Sequence, residues 1–390
     1  MPSGRSSTRG GIGLALAGGG PVGAIYEIGA LRALEDSLET VDFTALSCYV
    51  GVSAGALLAS CLANGMTPEL LMRVAKGEAA DEEPFDPEVA MAPNYSEFAR
   101  RGLALPRMVG QALWYFTRRA PDRTLLASLS RTTRVLPLGI FNNEQLRAHL
   151  QRVFDRPGRT DDFRKLRANL TVVAADLEVG RPVRFSRMEH QHVPISRAVQ
   201  ASTALPGVYP PVRIDGRVCV DGVLLKTLHA SVALDQGVTL LFCINPIVPV
   251  DTTAGEARGE LPEGALLRQG LTGVLSQTFR TLVHSRLEVG MAGYSDRYPG
   301  ADVVLFEPAR DAYGMFFANL FSLDSRREIC ELAYEMTRAD LRRRYDELSP
   351  IFARHGIRIR DDVLDGAPPP ARKRSTSKKR AKRRPSRPRG

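Results

Sequence analysis

The sequence predicts an α/β fold of three layers, in which helices cover both faces of a mainly parallel β-sheet. Continuous apolar runs, which are typical of strands buried on both faces, recur along the chain. The first two, residues 12–17 and 48–51, each lead through a turn of small residues into a helical pattern. Because repeated strand–turn–helix units place their strands side by side and parallel, this pattern favours a sheet covered by helices.

These two units account for the first part of the chain. After the run at 12–17, the glycine-rich turn at 18–23 leads to helical spacing of apolar residues over 24–38. The strand near 48–51 leads to a helix that we expect to end at about Ala63.

The middle of the chain departs from this alternation. From residue 68 to 137 the pattern is helical and irregular, and we expect a helical cap inserted over the sheet. Within it, residues 103–119 place apolar side chains at helical spacing between arginines. Such a helix suits a lipid headgroup layer or a lid, although a cap helix that faces the core gives the same pattern.

Strands return after the insertion. An Asp215-Gly216 turn between short apolar arms predicts a hairpin over 212–220, which leads to Asp221. The other expected elements are strands at 170–174, 183–185, 238–244 and 303–306 and helices at 195–201, 229–235, 264–292 and 323–346.

The excess charge lies at the C-terminus. The formal net charge is +10, but eleven of the 53 Lys and Arg residues fall within 367–390, which has no acidic residue. The remaining 42 are balanced by 43 acidic residues, so the body of the protein gives nucleic-acid binding no electrostatic support. The tail is typical of disorder and suits anionic lipid or, less readily, nucleic acid. A solvated tail without a partner is an equal alternative.

Composition also bears on compartment and cofactors. The five cysteines are widely spaced without a CxxC pair, and the six histidines show no close ligand spacing, so we expect neither disulfides nor a metal.

Arg5 and Arg9 before a short apolar run could belong to a signal peptide, but the following turn and helix favour a strand. No apolar stretch reaches the ~18 residues that span a bilayer. We expect a cytoplasmic protein, in solution or peripheral on a membrane.

The strongest motif is Gly51-Val52-Ser53-Ala54-Gly55, a GxSxG between a buried strand and a helix. Small residues at Gly51 and Gly55 permit the tight turn that exposes a nucleophilic Ser53 at a helix N-terminus. A turn that only packs a helix on the sheet needs small residues as well, so the motif alone leaves that alternative open.

A second motif is Gly18-Gly19-Gly20-Pro21-Val22-Gly23. Glycines uncover backbone N–H groups near a helix start, which suits an oxyanion or a dinucleotide pyrophosphate. A dinucleotide fold needs an acidic residue at the end of its second strand. Glu39 and Asp42 precede that strand, which ends at Ser53 instead. This difference argues against a dinucleotide site, but a Rossmann-type oxidoreductase that uses 18–23 stays as an alternative.

A third motif is Asp221-Gly222, at the end of the predicted hairpin. Alone, it is typical of an ordinary turn aspartate. His229, eight positions further on, could act as the base of a triad. It falls on a predicted helix, where packing and surface roles are more common.

Together the three motifs resemble the patatin-like phospholipase family. Its order is a glycine-rich oxyanion loop, a GxSxG serine and an aspartate in DGG or DGA, which here match 18–23, 51–55 and 221–222. The similarity extends through Ala201-Ser202-Thr203-Ala204-Leu205-Pro206-Gly207 and Pro210-Pro211, over roughly 12–245. Val22 departs from a frequent Arg or Lys, and Val223 from a Gly or Ala.

The resemblance implies a patatin-like fold and a serine hydrolase that cleaves carboxylic esters of phospholipids or lysophospholipids at a membrane or micelle surface, without metal or cofactor. It implies a Ser53–Asp221 dyad and an oxyanion hole at Gly18, Gly19 and Gly20. Supporting glycines are Gly23, Gly51, Gly55 and Gly222. A catalytically silent lipid-binding protein with the same fold is a further alternative.

The same resemblance suggests how the chain is divided. We expect a flexible N-terminus (1–10), a patatin-like catalytic domain (11–245) that contains the cap, a C-terminal extension of helices and a strand packed on the core (246–360), and a disordered basic tail (366–390). The oligomeric state has no sequence signal.

Overall fold

A mixed β-sheet forms the centre of the computed structural model, which describes residues 11–83, 91–95, 137–316 and 322–365. Within these ranges eight strands belong to the sheet. They are β1 Gly11–Leu16, β3 Cys48–Val52, β4 Asn169–Asp176, β5 Arg181–Phe185, β6 Val212–Ile214, β7 Arg217–Asp221, β8 Val238–Ile244 and β9 Asp302–Phe306. The short strands β2 Leu38–Glu39 and β10 Arg358–Ile359 form a separate antiparallel pair.

The sheet is parallel through its centre and antiparallel at one side. Its order is β6–β7–β4–β3–β1–β8–β9, and every neighbouring pair from β4 to β9 is parallel. Strands β5 and β7 both pair with β4 in antiparallel orientation, and β6 and β7 form the predicted hairpin. The α/β class with a mainly parallel sheet is confirmed.

Helices occupy most of the remaining described chain. They are α1 Gly20–Ser37, α2 Ala54–Ala63, α3 Pro68–Ala75, α4 Glu144–Phe154, α5 Ile195–Ser202, α6 Ser231–Leu234, α7 Thr252–Ala257, α8 Ala265–Arg268, α9 Gly270–Ala292, α10 Tyr294–Arg297, α11 Tyr313–Phe316, α12 Leu323–Arg343, α13 Tyr345–Arg354 and α14 Asp361–Leu364. Short 3-10 helices cover Phe163–Lys165 and Gly222–Leu224.

Alternation along β1 explains the three layers. Leu14 and Leu16 point to one face, where they join a core built with α1, α2 and α12. Ala15 and Ala17 point to the other face, where side chains of α6 and α9 cover them. Because successive side chains of a strand alternate between faces, one apolar run supplies both cores.

The C-terminal helix α12 packs closely on α1. Gly29 of α1 faces Cys330 of α12 so closely that a Cβ atom at Gly29 would overlap the carbonyl oxygen of Cys330. A glycine on a buried helix face allows two backbones to approach in this way. Residues beyond 245 thus contribute a strand to the sheet and a helix to its larger core.

Several sequence predictions fall outside the described residues: the N-terminus 1–10, the helix at 103–119, most of the cap 68–137 and the tail 366–390. The start of the expected cap is described, and there α3 begins at Pro68 with Thr67 as its N-cap. In the described ranges every helix is too short or too polar to cross a lipid bilayer.

Candidate active site

Ser53 lies in a strained turn between β3 and α2. Its backbone has φ 54° and ψ −124°, a conformation that non-glycine residues rarely adopt. A Cβ atom at Gly51 would come within 2.5 Å of the Ala56 Cα, and one at Gly55 would overlap the carbonyl oxygen of Ala17. The glycines of the GxSxG motif are therefore required for the turn itself.

Ser202, at the end of α5, holds this turn from behind. Its fully buried Oγ accepts a 2.8 Å hydrogen bond from the backbone N–H of Ser53 and donates a 2.6 Å bond to the carbonyl oxygen of Val173. This role of Ser202 was not predicted from the sequence. Ser202 belongs to the segment that resembles the family, and that resemblance was the available signal.

Asp221, the last residue of β7, lies beside Ser53. Its carboxyl lies near enough to the Ser53 hydroxyl for that group to lower its pKa, and its Oδ1 accepts a 2.9 Å hydrogen bond from the backbone N–H of Val223. Only 2% of Asp221 is exposed. Burial raises the pKa of Asp221 to about 7, against the opposing effect of these two groups. A carboxyl group with this pKa can exchange a proton near neutral pH.

The residues around Asp221 constrain its position. A Cβ atom at Gly222 would overlap the carbonyl oxygen of Val173, so glycine is required there. The Val223 side chain is buried and faces Gly18: a Cβ atom at Gly18 would lie 3.3 Å from a methyl group of Val223. Val223 thus replaces the family's small residue without displacing the aspartate. Val22 is half-buried against the core.

The glycine-rich loop, residues 18–23, lies beside Ser53. Gly18 approaches Ser53, since a Cβ atom added to it would lie 3.1 Å from that of the serine. Gly19, with φ 154°, is the N-cap of α1, and Gly20, with φ 61°, is its first residue. The first N–H groups of a helix have no intrahelical acceptor and lie at the positive end of its dipole. The loop is thus suited to a developing negative charge.

Pro246, just after β8, fixes the shape of this loop. A Cβ atom at Gly19 would come within 2.6 Å of the Pro246 Cγ, and one at Gly23 within 2.9 Å. The proline is held by its neighbours: Asn245 exchanges two hydrogen bonds of 3.1 Å with the backbone of Ile247. Gly19 and Gly23 therefore have a packing reason to be glycine in addition to a conformational one.

A cavity of about 310 Å3 opens above Ser53 and Asp221. The loop residues Gly19 and Gly20 lie at its edge, and most of its lining is apolar. Among the described lining residues, the apolar side chains are Pro21, Ala24, Ala54, Leu57, Met91, Phe141, Leu146, Leu205, Val208, Tyr209, Val223, Ile247 and Phe279. A hydrocarbon chain matches such a surface.

His229 does not lie against Ser53. It precedes α6 with φ 47°, so its predicted place on a helix is wrong. Its Nε2 is 3.3 Å from the carbonyl oxygen of Gly222, and burial lowers the pKa of His229 to about 4. A neutral histidine behind the Asp221-Gly222 turn has a structural contact there, and none of the described cavity-lining residues is a histidine.

Neither of the two acidic residues considered for a dinucleotide site, Glu39 and Asp42, lies at the end of the second strand of the main sheet. Glu39 lies in β2, away from the main sheet, and forms an ion pair with Arg358. The Asp42 carboxylate accepts hydrogen bonds from Thr44. No three His, Cys, Asp or Glu side chains of the described ranges come together as a metal site would require.

The described residues define an α/β protein in which a strained serine turn lies beneath a glycine-rich loop. The sequence model of the family described as patatin-like phospholipase matches residues 14–234, more than half of the chain. The chain belongs to that family.

Other similarities are shorter or more remote. Uncharacterized NTE family proteins of Mycobacterium bovis and Mycobacterium tuberculosis are each 34% identical over 94 residues. The match spans about a quarter of each, 24% of this chain and 23% of the relative. VipD from Legionella pneumophila is 14% identical with a TM-score of 0.39, and the match covers 85% of this chain and 67% of the VipD chain. Human GIVD cytosolic phospholipase A2 is 12% identical with a TM-score of 0.33, and the match covers 86% of this chain and 58% of the phospholipase chain.

Proposed function

We propose that the protein is a lipid acyl hydrolase that cleaves carboxylic esters of phospholipids or lysophospholipids through a Ser53–Asp221 dyad. The observation that carries this proposal is the position of the Ser53 hydroxyl beside a buried carboxyl group, that of Asp221, whose pKa burial raises to about 7. It lies at the floor of an apolar cavity, beside the glycine-rich loop. Family membership supports the same class of activity.

In the acylation step, Asp221 takes the proton of the Ser53 hydroxyl while Oγ attacks the ester carbonyl carbon. The carbonyl oxygen becomes an oxyanion, which the N–H groups of the loop Gly18, Gly19 and Gly20 stabilise. The intermediate collapses when the C–O bond to the alcohol breaks. Asp221 returns the proton to the departing alkoxide, and the acyl group remains on Ser53.

In the deacylation step, water takes the place of the alcohol. Asp221 accepts a proton from the water, whose oxygen attacks the acyl carbonyl, and the same loop stabilises the second oxyanion. The bond to Ser53 breaks, Oγ regains the proton from Asp221 and a fatty acid leaves. In both steps Asp221 passes on the proton that it accepts, so the mechanism requires no histidine.

The place of the reaction is part of the proposal. A substrate with a long acyl chain resides in a membrane or micelle, and the cavity receives that chain. The eleven basic residues of 367–390 would attract an anionic surface, each contributing about 1 kcal/mol at low salt. Sedimentation with vesicles of neutral or anionic lipid, on the full chain and on a chain ending at Asp365, measures that attraction.

Turnover of p-nitrophenyl acyl esters tests the proposal. Ser53→Ala and Asp221→Asn are expected to lower kcat at least about a thousandfold. The control is Ser60→Ala, which removes a buried hydroxyl that donates only to the carbonyl oxygen of Ala56 within α2. A wild-type protein that binds lipid without turnover would favour the silent lipid-binding alternative. Binding of a nicotinamide dinucleotide that survives Ser53→Ala would favour the oxidoreductase.

A further inference from the structure

The cavity above Ser53 contains a charge that hydrolysis of an ester does not require. Arg280, on α9, is the one cationic side chain among its described lining residues. Its neighbours on the same helix, Ser276 and Phe279, also line the cavity. The guanidinium is therefore in the same space as the proposed nucleophile, in surroundings that are otherwise apolar.

The contacts that Arg280 makes within the described residues leave its charge without a counterion there. Its guanidinium carbon lies 4.8 Å from the ring centre of Phe316, and Nη1 is 3.5 Å from the carbonyl oxygen of Val248, which is long for a hydrogen bond. Within the described part of the chain no carboxylate lies at ion-pair distance from Arg280. Burial lowers the pKa of Arg280, but an arginine stays protonated at physiological pH.

The carboxyl group of Asp221 lies in the same cavity but does not serve as this counterion. It accepts a hydrogen bond from the Val223 N–H and lies beside the Ser53 hydroxyl, and it forms no ion pair with Arg280. By contrast, Arg310, outside the cavity lining, has Glu288 3.6 Å away. Arg280 thus differs from a typical arginine, because it is partly desolvated and has no acidic partner among the residues that the structure describes.

Partial burial of an unpaired charge is unfavourable, and the arrangement becomes favourable once an anion binds. The planar guanidinium presents a fork of N–H donors that matches two oxygens of one phosphate group. An acyl chain alone offers Arg280 nothing to bind. The complementary substrate has an apolar chain and a phosphate anion within one molecule.

The glycine-rich loop cannot provide this charge. Where the family often has Arg or Lys, this chain has Val22, and that side chain packs against the core. Among the described lining residues, the cation of the cavity therefore comes from α9, which packs on the opposite face of the sheet from α1.

We propose that Arg280 binds the phosphate of a phosphate-bearing ester lipid and so selects it over an uncharged acylglycerol. The proposal rests on the ester hydrolysis proposed above, and it names the substrate class of that site. Arg280 takes no part in the proton transfers. It orients a substrate whose acyl carbonyl lies at Ser53.

Binding measured without turnover separates this proposal from hydrolysis. The ligands are an alkylphosphocholine and an alkyl glycerol ether of equal chain length, both without a carboxylic ester, used below their micelle concentrations. Calorimetry on Ser53→Ala should show tighter binding of the alkylphosphocholine by about 10- to 100-fold. Adding R280Q to this variant should remove the difference in affinity between the two ligands and leave the affinity for the alkyl glycerol ether unchanged. An affinity ratio that R280Q does not change overturns the proposal.

Inorganic phosphate distinguishes the two sources of the anion. Because it lacks the alkyl chain, millimolar phosphate should leave alkylphosphocholine bound. Displacement by inorganic phosphate alone would show a site for free phosphate and would overturn the assignment to a lipid.

Kinetics supply the second test. With a lysophospholipid and a monoacylglycerol of equal acyl chain, R280Q should lower kcat/KM about 10- to 100-fold for the first and less than about threefold for the second. R280K should recover part of the loss because it keeps the charge without the fork. The control is R297Q, which removes an exposed arginine stacked 5.3 Å from the ring centre of Tyr298.

The possible outcomes are distinct. Equal losses for both lipids would assign Arg280 a purely structural role with Phe316 and would overturn the proposal. If neither lipid is hydrolysed by the wild type while the binding difference and its loss in R280Q hold, the hydrolase proposal fails and the role of Arg280 stands.

Discussion

The backbone N–H of Ser53 donates a hydrogen bond to the hydroxyl of Ser202, 149 residues further along the chain. This contact joins the strained turn to α5, and the second hydrogen bond of Ser202 joins both to β4. A strained backbone persists only where surrounding contacts hold it. We therefore infer that Ser202 holds the Ser53 turn in position beside Asp221.

Replacing Ser202 tests that role. Ser202→Ala leaves the Ser53 N–H and the Val173 carbonyl oxygen without this partner, so we expect a loss of about 1–3 kcal/mol in the free energy of unfolding. We also expect kcat to fall at least about tenfold, because the nucleophile loses its orientation. Denaturant titration and ester turnover measure the two effects. Ser60→Ala should lower stability alone, and an equal effect of both variants on kcat would contradict the account.

The glycine-rich loop offers a matched pair of substitutions. At Gly19 an added Cβ meets Pro246, whereas at Gly20 it meets nothing within 4 Å. Gly19→Ala should distort the loop and lower kcat about 100-fold or more, the cost of losing oxyanion donors. Gly20→Ala costs only the strain of φ 61°, about 1 kcal/mol, so its kcat should stay within about tenfold of wild type. The reverse order of severity would show that the loop does not act through this geometry.

The pH dependence of activity follows from the state of Asp221. As the proposed base, Asp221 must be ionised, and its pKa is about 7, so kcat/KM should rise with pH through a midpoint near 7. Initial rates across a pH series measure this midpoint. His229→Gln serves as the control, because a histidine with a pKa of about 4 contributes nothing there. A midpoint that moves with His229 and not with Asp221 would assign the base to the histidine.

The same carboxyl group affects stability. The unfolded chain releases this proton near the ordinary pKa of 3.8, whereas the folded protein keeps it up to about 7. The free energy of unfolding therefore falls as pH rises across that window. Asp221→Asn removes the charge, and at about pH 9 it should gain up to about 4 kcal/mol over wild type. Denaturant titrations at acid and alkaline pH measure the gain. A gain that does not grow with pH would contradict the assigned pKa.

We expect Leu57 to limit the length of the acyl chain that the cavity accepts. Leu57 and Ala24 line both the main cavity and an inner cavity of about 40 Å3. Leu57→Ala should join the two spaces and shift the preferred acyl chain upward by roughly two to three methylenes. Turnover of p-nitrophenyl esters of graded length measures the shift. Leu58→Ala, which enlarges only the inner cavity, should not change the preference, and an unchanged preference in Leu57→Ala would place the acyl chain elsewhere.

Local patterns were sufficient for much of the fold. The strand at Val238–Ile244 has the predicted bounds, and the Asp215-Gly216 turn forms the predicted hairpin, because period and turn chemistry are properties of adjacent residues. Helix bounds were less accurate. The predicted helix 264–292 divides before Gly270, whose φ is 65°, and α1 begins at Gly20, inside the glycine-rich turn.

Contacts between distant segments were not predictable from local patterns. The antiparallel pairing of β5 and β7 with β4 depends on strand neighbours, which an apolar run does not specify. The contact of Ser53 with Ser202 joins two helix ends far apart in sequence. Asp221 shows the difference between local and distant signals. Its local motif is that of an ordinary turn, and only the pairing of Asp221 with Ala174 places the carboxyl beside Ser53.

Reaction with an alkyl fluorophosphonate, followed by intact mass and peptide mapping, tests the proposed dyad most directly, because the reagent captures an activated serine in one covalent step. The account predicts one adduct per chain, on Ser53, and a loss of labelling in Asp221→Asn although the hydroxyl remains. Labelling of another residue, or labelling of Ser53 at the wild-type rate in Asp221→Asn, would contradict the proposed dyad.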